Sequence, residues 1–115
     1  MVVDGIHKKL TVLAKLQALS NETRFRIVDL VREREMTAGG IAQHFKLTRP
    51  GVSQHIGILR DAGLLEERRV GAKRLYAING ENFGELVEYA ETFWRSRLRR
   101  LKHAAETIER RKRSK

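Results

Sequence analysis

Residues 48–63 constrain the fold more than any other stretch of the chain. Within it, Val52, Ile56 and Leu59 recur at the i, i+4, i+7 spacing of one apolar helix face. Thr48 is typical of the residue that caps a helix N-terminus, and Gly63 is typical of the residue just past a helix end, where glycine tolerates the left-handed conformation. The pattern therefore predicts a short helix with one buried stripe.

The other faces of this predicted helix suit the edges of base pairs. Arg49, Ser53 and Gln54 fall away from the apolar stripe, and arginine and glutamine are the natural partners of guanine and adenine in the major groove. Gly57 allows close approach, and Pro50 lacks only an N–H that has no helical partner in the first turn. Taken alone, the same pattern also fits an ordinary amphipathic surface helix.

The residues after the helix favour contact with base pairs over an ordinary surface helix. Residues 64–70 and 73–78 are rich in Val, Leu, Tyr and Ile, with Gly71-Ala72 between them and Asn79-Gly80 after them, which predicts a β-hairpin. The cations around its tip are Arg68, Arg69, Lys73 and Arg74.

A basic hairpin directly after a polar-faced helix is the arrangement of a winged helix-turn-helix. In that arrangement the helix enters the major groove and the hairpin, or wing, lies along the adjacent backbone or minor groove. Residues 37–45 supply the preceding helix and residues 46–48 the turn. The predicted fold is mainly α with a small β-hairpin wing (α+β). The predicted DNA contacts are Thr48, Arg49, Pro50, Ser53, Gln54 and His55 on the helix, and Arg68, Arg69, Lys73 and Arg74 on the wing.

From about Leu10 to Leu101 the chain resembles the ArsR-type winged-helix repressors of bacteria and archaea. The similarity rests on the sequences of residues 19–27, 36–42, 49–65 and 71–76. It is greatest to members without metal-binding cysteines whose last helix carries a Phe-Trp pair, like Phe93-Trp94 here. The resemblance implies a homodimeric transcriptional repressor acting on double-stranded operator DNA, including that of its own promoter. By position, it also implies base contacts for Arg49, Pro50, Ser53 and Gln54.

Two residues depart from the family pattern. Gly40 stands where an acidic helix-capping residue is usual, which predicts a less well capped first helix of the pair. Ala72 stands in the wing where a longer polar residue is common.

Both ends of the chain carry apolar stripes at helical spacing, longer than one small domain can cover. The first contains Ile6, Leu10, Leu13, Leu16 and Leu19, and the second contains Phe83, Leu86, Val87, Ala90, Phe93, Trp94, Leu98, Leu101, Ala105 and Ile108. Such excess predicts a two-fold dimer, which would read a pseudo-palindromic operator. The alternative is that both helices pack only on their own monomer. The predicted interface is Leu10, Leu13, Phe83, Val87, Phe93, Trp94, Leu98 and Leu101.

Charge is unevenly distributed along the chain. The net charge is +10, with +4 in residues 37–79, −4 in residues 80–94 and +8 in residues 95–115. A positive balance over the helix and wing is typical of a polyanion binder. One domain is predicted over residues 1–109, followed by a flexible basic tail at 110–115. The absence of cysteine, of an apolar run long enough for a membrane span and of a signal-peptide pattern predicts a cytoplasmic protein without membrane contact.

Three other functions fit the sequence less well. A metal-responsive repressor with a non-thiolate site would need more ligands than His103 and Glu106, because the matching upstream positions are Ala90 and Thr92. An enzyme is disfavoured because Ser53 and His55 face different directions on a helix. A winged-helix interaction module without DNA binding would typically lack this polar face and basic wing. We therefore predict no metal, no cofactor and no catalytic residue, and the sequence indicates no small-molecule effector.

Overall fold

The computed structural model describes residues 2–113, with side chains described for residues 10–113. Five helices and three strands follow one another along this part of the chain. In order they are α1 Val2–Leu19, α2 Glu22–Val31, β1 Met36–Thr37, α3 Ala38–Ala42, α4 Arg49–Asp61, β2 Leu65–Val70, β3 Lys73–Ile78 and α5 Gly80–Arg113.

The predicted DNA-facing helix is α4, and its ends form as its sequence predicts. The Thr48 side chain accepts a hydrogen bond from the Gly51 N–H at 3.2 Å, which satisfies one of the N–H groups that a helix start leaves without a partner. At the other end Gly63 adopts a φ of 81°. The stripe of Val52, Ile56 and Leu59 is fully buried. Burial of this stripe fixes which side of α4 faces solvent.

The sheet has three strands, not the two that the sequence predicts. Its order is β1-β3-β2, all antiparallel, with Met36 opposite Tyr76 and Thr37 opposite Leu75. A two-residue strand has no periodicity of its own and forms only where a partner strand offers hydrogen bonds, so the hydrophobic pattern could not reveal it. The predicted pair, β2 and β3, forms the hairpin.

The first helix of the pair is shorter than the sequence predicts. Instead of the whole of residues 37–45, α3 covers only Ala38–Ala42. Thr37 belongs to β1 and also caps α3, since its hydroxyl oxygen accepts from the Gly40 N–H at 3.0 Å. Gly40 lies at the third position of the helix, where it has no side chain to return a second bond to the Thr37 N–H, so the expectation of a less well capped helix stays a prediction.

The core lies beneath α4 and is shared by α2, α3 and β2. Its largest fully buried side chains are Ile27, Ile41, Val52, Ile56, Leu59 and Leu64. α1 contributes Val12 and Ala18 to this core, and α5 contributes Leu86. Between those two helices Lys15, only 4% exposed, places its Nζ 3.6 Å from Glu85 Oε2.

The remainder of α5 extends past the core. The helix has 34 residues, which at 1.5 Å per residue is about 51 Å. From Glu91 to Arg113 every side chain except that of Thr107 is exposed. Arg110–Arg113 form the exposed end of this helix, and the flexibility predicted for residues 110–115 stays a prediction, while Ser114 and Lys115 lie outside the described residues. Among the helices described in residues 2–113, none is long and apolar enough to cross a membrane.

Candidate nucleic-acid interface

The outward side of α4 presents the side chains that the sequence assigns to base contact. Arg49, Ser53 and Gln54 are exposed, because the buried stripe turns the opposite side of the helix into the core. We refer to these three residues as the reading face. Thr48 and Pro50, also predicted contacts, are exposed at the start of the helix, where Thr48 is already engaged as the cap.

His55, the remaining predicted contact on α4, does not lie on the reading face. It is half-buried, and its Nδ1 is 3.3 Å from Nη1 of Arg24 in α2. The sequence predicts His55 as a DNA contact, with packing between the two helices of the pair as the alternative, and the structure places its ring against Arg24 of α2. Its spacing from Gln54 explains this, because one residue rotates a side chain about 100° around a helix.

The four wing cations divide between the two faces of the hairpin. Arg69 and Arg74 are cross-strand partners, as are Val70 and Lys73. Because side chains alternate along a strand, Arg69 and Arg74 share the face of buried Tyr76, while Arg68 and Lys73 lie on the other face. The four cations predicted to cluster around the tip are therefore divided, two on each face of the hairpin.

Two of these cations have acidic partners. Arg68 pairs with Glu35, which precedes β1, and Arg74 Nη1 lies 3.7 Å from Glu67 Oε1. All four side chains are at least partly exposed, so each pair contributes little to stability. Arg68 and Arg74 thus each have an acidic neighbour, whereas Arg69 and Lys73 are exposed at positions close to the turn.

Tyr76 links the wing to the core. Its hydroxyl donates to Glu67 Oε1 at 3.0 Å, and its ring is buried. Burial raises the pKa of Tyr76 above its ordinary value, and the hydrogen bond to Glu67 and the charge of that carboxylate raise it further. The hydroxyl therefore stays protonated and keeps donating to Glu67 throughout the neutral range.

A polar cleft of about 610 Å³ joins the reading face to the wing. Arg49 and Ser53 line it from α4, and Lys73 and Arg74 line it from the hairpin. The floor and walls are completed by Thr37, Ala38, Gly39, Gly40, Gln43, Ala72 and Tyr76. Three cations and no carboxylate line this cleft, so its electrostatics favour an anion such as a backbone phosphate.

The cleft includes residues that sequence reasoning missed. Gln43 is exposed at the end of α3, and Gly39 lies where the Arg49 guanidinium packs: a Cβ on Gly39 would be 3.7 Å from Arg49 Cζ. The sequence did indicate that Gln43 and Gly39 belong to the first helix of the pair, which faces α4. The sequence could not show which side of so short a helix would border the cleft.

The predicted dimer residues form an exposed apolar surface, with one exception. Leu10, Leu13, Val87, Phe93, Trp94, Leu98 and Leu101 are exposed on the single chain. Phe83 is half-buried and packs against the chain's own core. The rings of Phe93 and Trp94 meet edge to face with centroids 5.7 Å apart, beside an apolar cavity of about 320 Å³ that Leu16 and Leu86 also line.

His103 and Glu106, the residues weighed as half of a metal site, are both exposed on α5. Within residues 10–113, no group of three or more histidine and acidic side chains is arranged to hold a metal ion.

Several known proteins with similar sequences or folds are named as transcriptional regulators. A family model described as a helix-turn-helix domain matches residues 19–68. The transcriptional repressor SdpR of Bacillus subtilis (strain 168) is 40% identical over 63 residues, which are 55% of this chain and 70% of SdpR. The arsenical resistance operon repressor of Staphylococcus xylosus is 33% identical over 75 residues, 65% of this chain and 70% of that protein. An ArsR-like transcriptional regulator from Rhodococcus sp. RHA1 has the same fold, with a TM-score of 0.73 at 23% identity over 85% of this chain and 92% of that structure.

The fold and the polar, cationic interface define a winged helix-turn-helix protein that binds DNA. The chain belongs to the ArsR family of transcriptional regulators and is a DNA-binding transcriptional repressor.

Proposed function

We propose that the chain represses transcription as a homodimer that binds a pseudo-palindromic operator. In each protomer the reading face of α4 enters the major groove, and the wing contacts the flanking backbone. The observation that carries the proposal is the cleft, which places Arg49 and Ser53 of the reading face beside Lys73 and Arg74 of the wing. A bound duplex can therefore meet base-reading and phosphate-binding groups of the same protomer together.

The dimer is the second part of the proposal. Trp94 is 59% exposed, Leu98 58% and Leu101 65% on the single chain, in a continuous apolar stripe of α5. Leu10 and Leu13 of α1 add to the same kind of surface. Exposed apolar surface of this extent is typical of an interface, and a second copy of the chain offers the same stripe in return.

The proposed assignment divides the residues by task. Gln54 and Arg49 discriminate base pairs, because their side chains match adenine and guanine edges. Arg68, Arg69, Lys73 and Arg74 supply phosphate contacts, which position the protein without reading sequence. The repressor acts in the cytoplasm without a cofactor or catalytic residue.

The test is a comparison of base preference and salt dependence between two variants. Gln54→Ala should lose about 1–3 kcal/mol at one base pair of each selected half-site and leave other positions unchanged. Arg74→Ala should weaken binding to all duplexes alike and lower the slope of log K against log salt by about 1. Arg34→Ala removes the same charge from an exposed position outside the cleft and serves as the control.

Two outcomes would contradict the proposal. An unchanged base preference in Gln54→Ala and Arg49→Ala would reject the reading face. If the wild-type protein shows no salt-dependent binding to any duplex, the interaction-module alternative is favoured instead.

A further inference from the structure

One side chain, that of Arg24 in α2, contacts both a neighbouring helix end and the DNA-facing helix. Its Nε donates to the carbonyl oxygen of Ala18 at 2.7 Å, and its Nη1 lies 3.3 Å from Nδ1 of His55 in α4. Its own backbone N–H donates to the Asn21 side chain, which caps α2. One guanidinium therefore joins α1, α2 and α4.

The contact with α1 satisfies carbonyl groups at the C-terminal end of that helix. The last carbonyl groups of a helix have no N–H partner within the helix, and a cation near them is favoured by the helix dipole. The last turn of α1 contains no basic residue. Arg24 supplies both the donor and the charge, with a longer contact of 3.5 Å to the carbonyl oxygen of Gln17.

The contact with α4 is made to the ring of His55. Arginine carries only donors, so Nδ1 of His55 acts as the acceptor in this contact. A planar guanidinium holds its donors in fixed directions, which a flexible lysine ammonium does not. One planar group thereby contacts both the end of α1 and the middle of α4.

We propose that Arg24 is a positioning residue that fixes the separation of the two reading faces in the dimer. The inference rests on the proposed function, in which α1 contributes Leu10 and Leu13 to the interface and α4 carries the reading face. A change in the angle between α1 and α4 would move each reading face relative to the two-fold axis. One base pair corresponds to about 3.4 Å and roughly 35° of rotation along DNA, so a small change of angle alters the half-site spacing that the dimer accepts.

The experiment selects bound duplexes from a random pool of about 40 bp and records the spacing between paired half-sites. The wild-type protein should enrich one spacing and bind duplexes one base pair longer or shorter about tenfold more weakly. Arg24→Gln should accept neighbouring spacings with less than about twofold discrimination, while its affinity for a duplex with a single half-site stays within about twofold. Arg24→Lys, which keeps the charge without the fork, should behave like Arg24→Gln.

The matched control is Arg26→Gln. It removes the same charge from the same helix, but the Arg26 guanidinium lies over the Phe45 ring at 4.9 Å and joins neither α1 nor α4. It should keep the wild-type spacing. His55→Leu removes the acceptor and should broaden the spacing as Arg24→Gln does, with no further broadening in the double variant, because either change alone already breaks the connection between α1 and α4.

Sedimentation and thermal unfolding of each variant show whether it remains a folded dimer. A folded, dimeric Arg24→Gln or Arg24→Lys variant with wild-type spacing selectivity would overturn the inference, as would equal broadening in Arg26→Gln. If the wild-type protein enriches no paired half-sites at all, the proposed dimeric function is wrong. That result differs from a failure of the Arg24 proposal alone, in which the wild-type protein still enriches one spacing.

Discussion

Two regions of the molecule differ in how far they bury their apolar side chains. They are the reading head, residues 21–78, and the distal part of α5, residues 91–113. The head surrounds Ile27, Ile41 and Val52 completely. Distal α5 repeats large apolar residues just as regularly, yet leaves Leu98 and Leu101 more than half exposed. Helical periodicity therefore indicates a face to be buried without indicating which surface will bury it.

Charge separates the same two regions. In the head two cations lie beside acids on other segments: Arg68 beside Glu35, and Arg74 beside Glu67. Distal α5 has far more basic than acidic residues. Its pair of Arg113 with Glu109, 3.5 Å apart, links residues one turn apart on the same helix. Two ion pairs of the head thus join different segments, whereas the pair of Arg113 with Glu109 in distal α5 joins neighbours on one helix.

The largest effect should result from disrupting the exposed stripe. Leu98→Glu places a charge where the proposed dimer buries an apolar side chain, so it should yield a folded monomer. Loss of the second reading head should lower operator affinity on the order of 100-fold or more. Sedimentation equilibrium and DNA titration measure the two effects, and Trp94 fluorescence should change as the wild-type dimer dissociates on dilution.

The control for this prediction is His103→Glu, which adds the same charge to the same helix. Five residues further along, His103 lies about 140° around the helix from Leu98. This variant should remain dimeric. A Leu98→Glu protein that sediments as a dimer at micromolar concentration would show that the stripe serves some other contact.

A smaller effect concerns the joint between the head and α5. Gly63 has a φ of 81°, its carbonyl oxygen accepts from Asn82 Nδ2 at 2.8 Å, and a Cβ on it would lie 2.8 Å from that nitrogen. Gly63→Ala should therefore cost about 1–2 kcal/mol of unfolding free energy for the left-handed conformation, and about 1 kcal/mol more for displacing Asn82. Urea unfolding measures this cost.

Gly71 in the wing turn provides the comparison, because it has a φ of 61° and a Cβ added to it would meet no atom within 4 Å. Gly71→Ala should thus show only the backbone cost, about 1–2 kcal/mol. Equal losses in the two variants would mean that the Asn82 contact contributes nothing to the joint.

The smallest effect should come from the end of α5. Deleting residues 110–115 removes five positive charges and no negative ones. The truncated protein should lose part of its affinity for scrambled DNA and part of its salt dependence, because such charges attract phosphate without reading bases. Its preference for operator over scrambled DNA should persist, since that preference lies in the reading face.

The same titrations test metal dependence. A chelator or added zinc at neutral pH should leave operator affinity unchanged, because His103 and Glu106 are too few ligands for a tight site. A tenfold shift on adding metal, about 1.4 kcal/mol of coupling, would favour the metal-responsive alternative. Loss of operator preference in a truncated but folded dimer would instead assign the end of α5 to recognition.

The parts of the molecule whose causes are local could be predicted from the sequence. The cap at Thr48, the stripe of α4 and the left-handed Gly63 follow from spacing and residue type within about 16 residues of chain. The hairpin follows in the same way from alternation around Gly71. These local signals were sufficient for the fold class and for the exposed position of Arg49, Ser53 and Gln54 on α4.

Features that depend on distant residues meeting were settled by the tertiary structure. The strand at Met36 exists because Tyr76 lies opposite it, and the orientation of His55 follows from Arg24, 31 residues earlier. Phe83 joins the monomer core although its spacing matches the exposed stripe. Periodicity fixes the angle of a side chain around its own helix, but only packing between helices determines which neighbour, if any, covers that side.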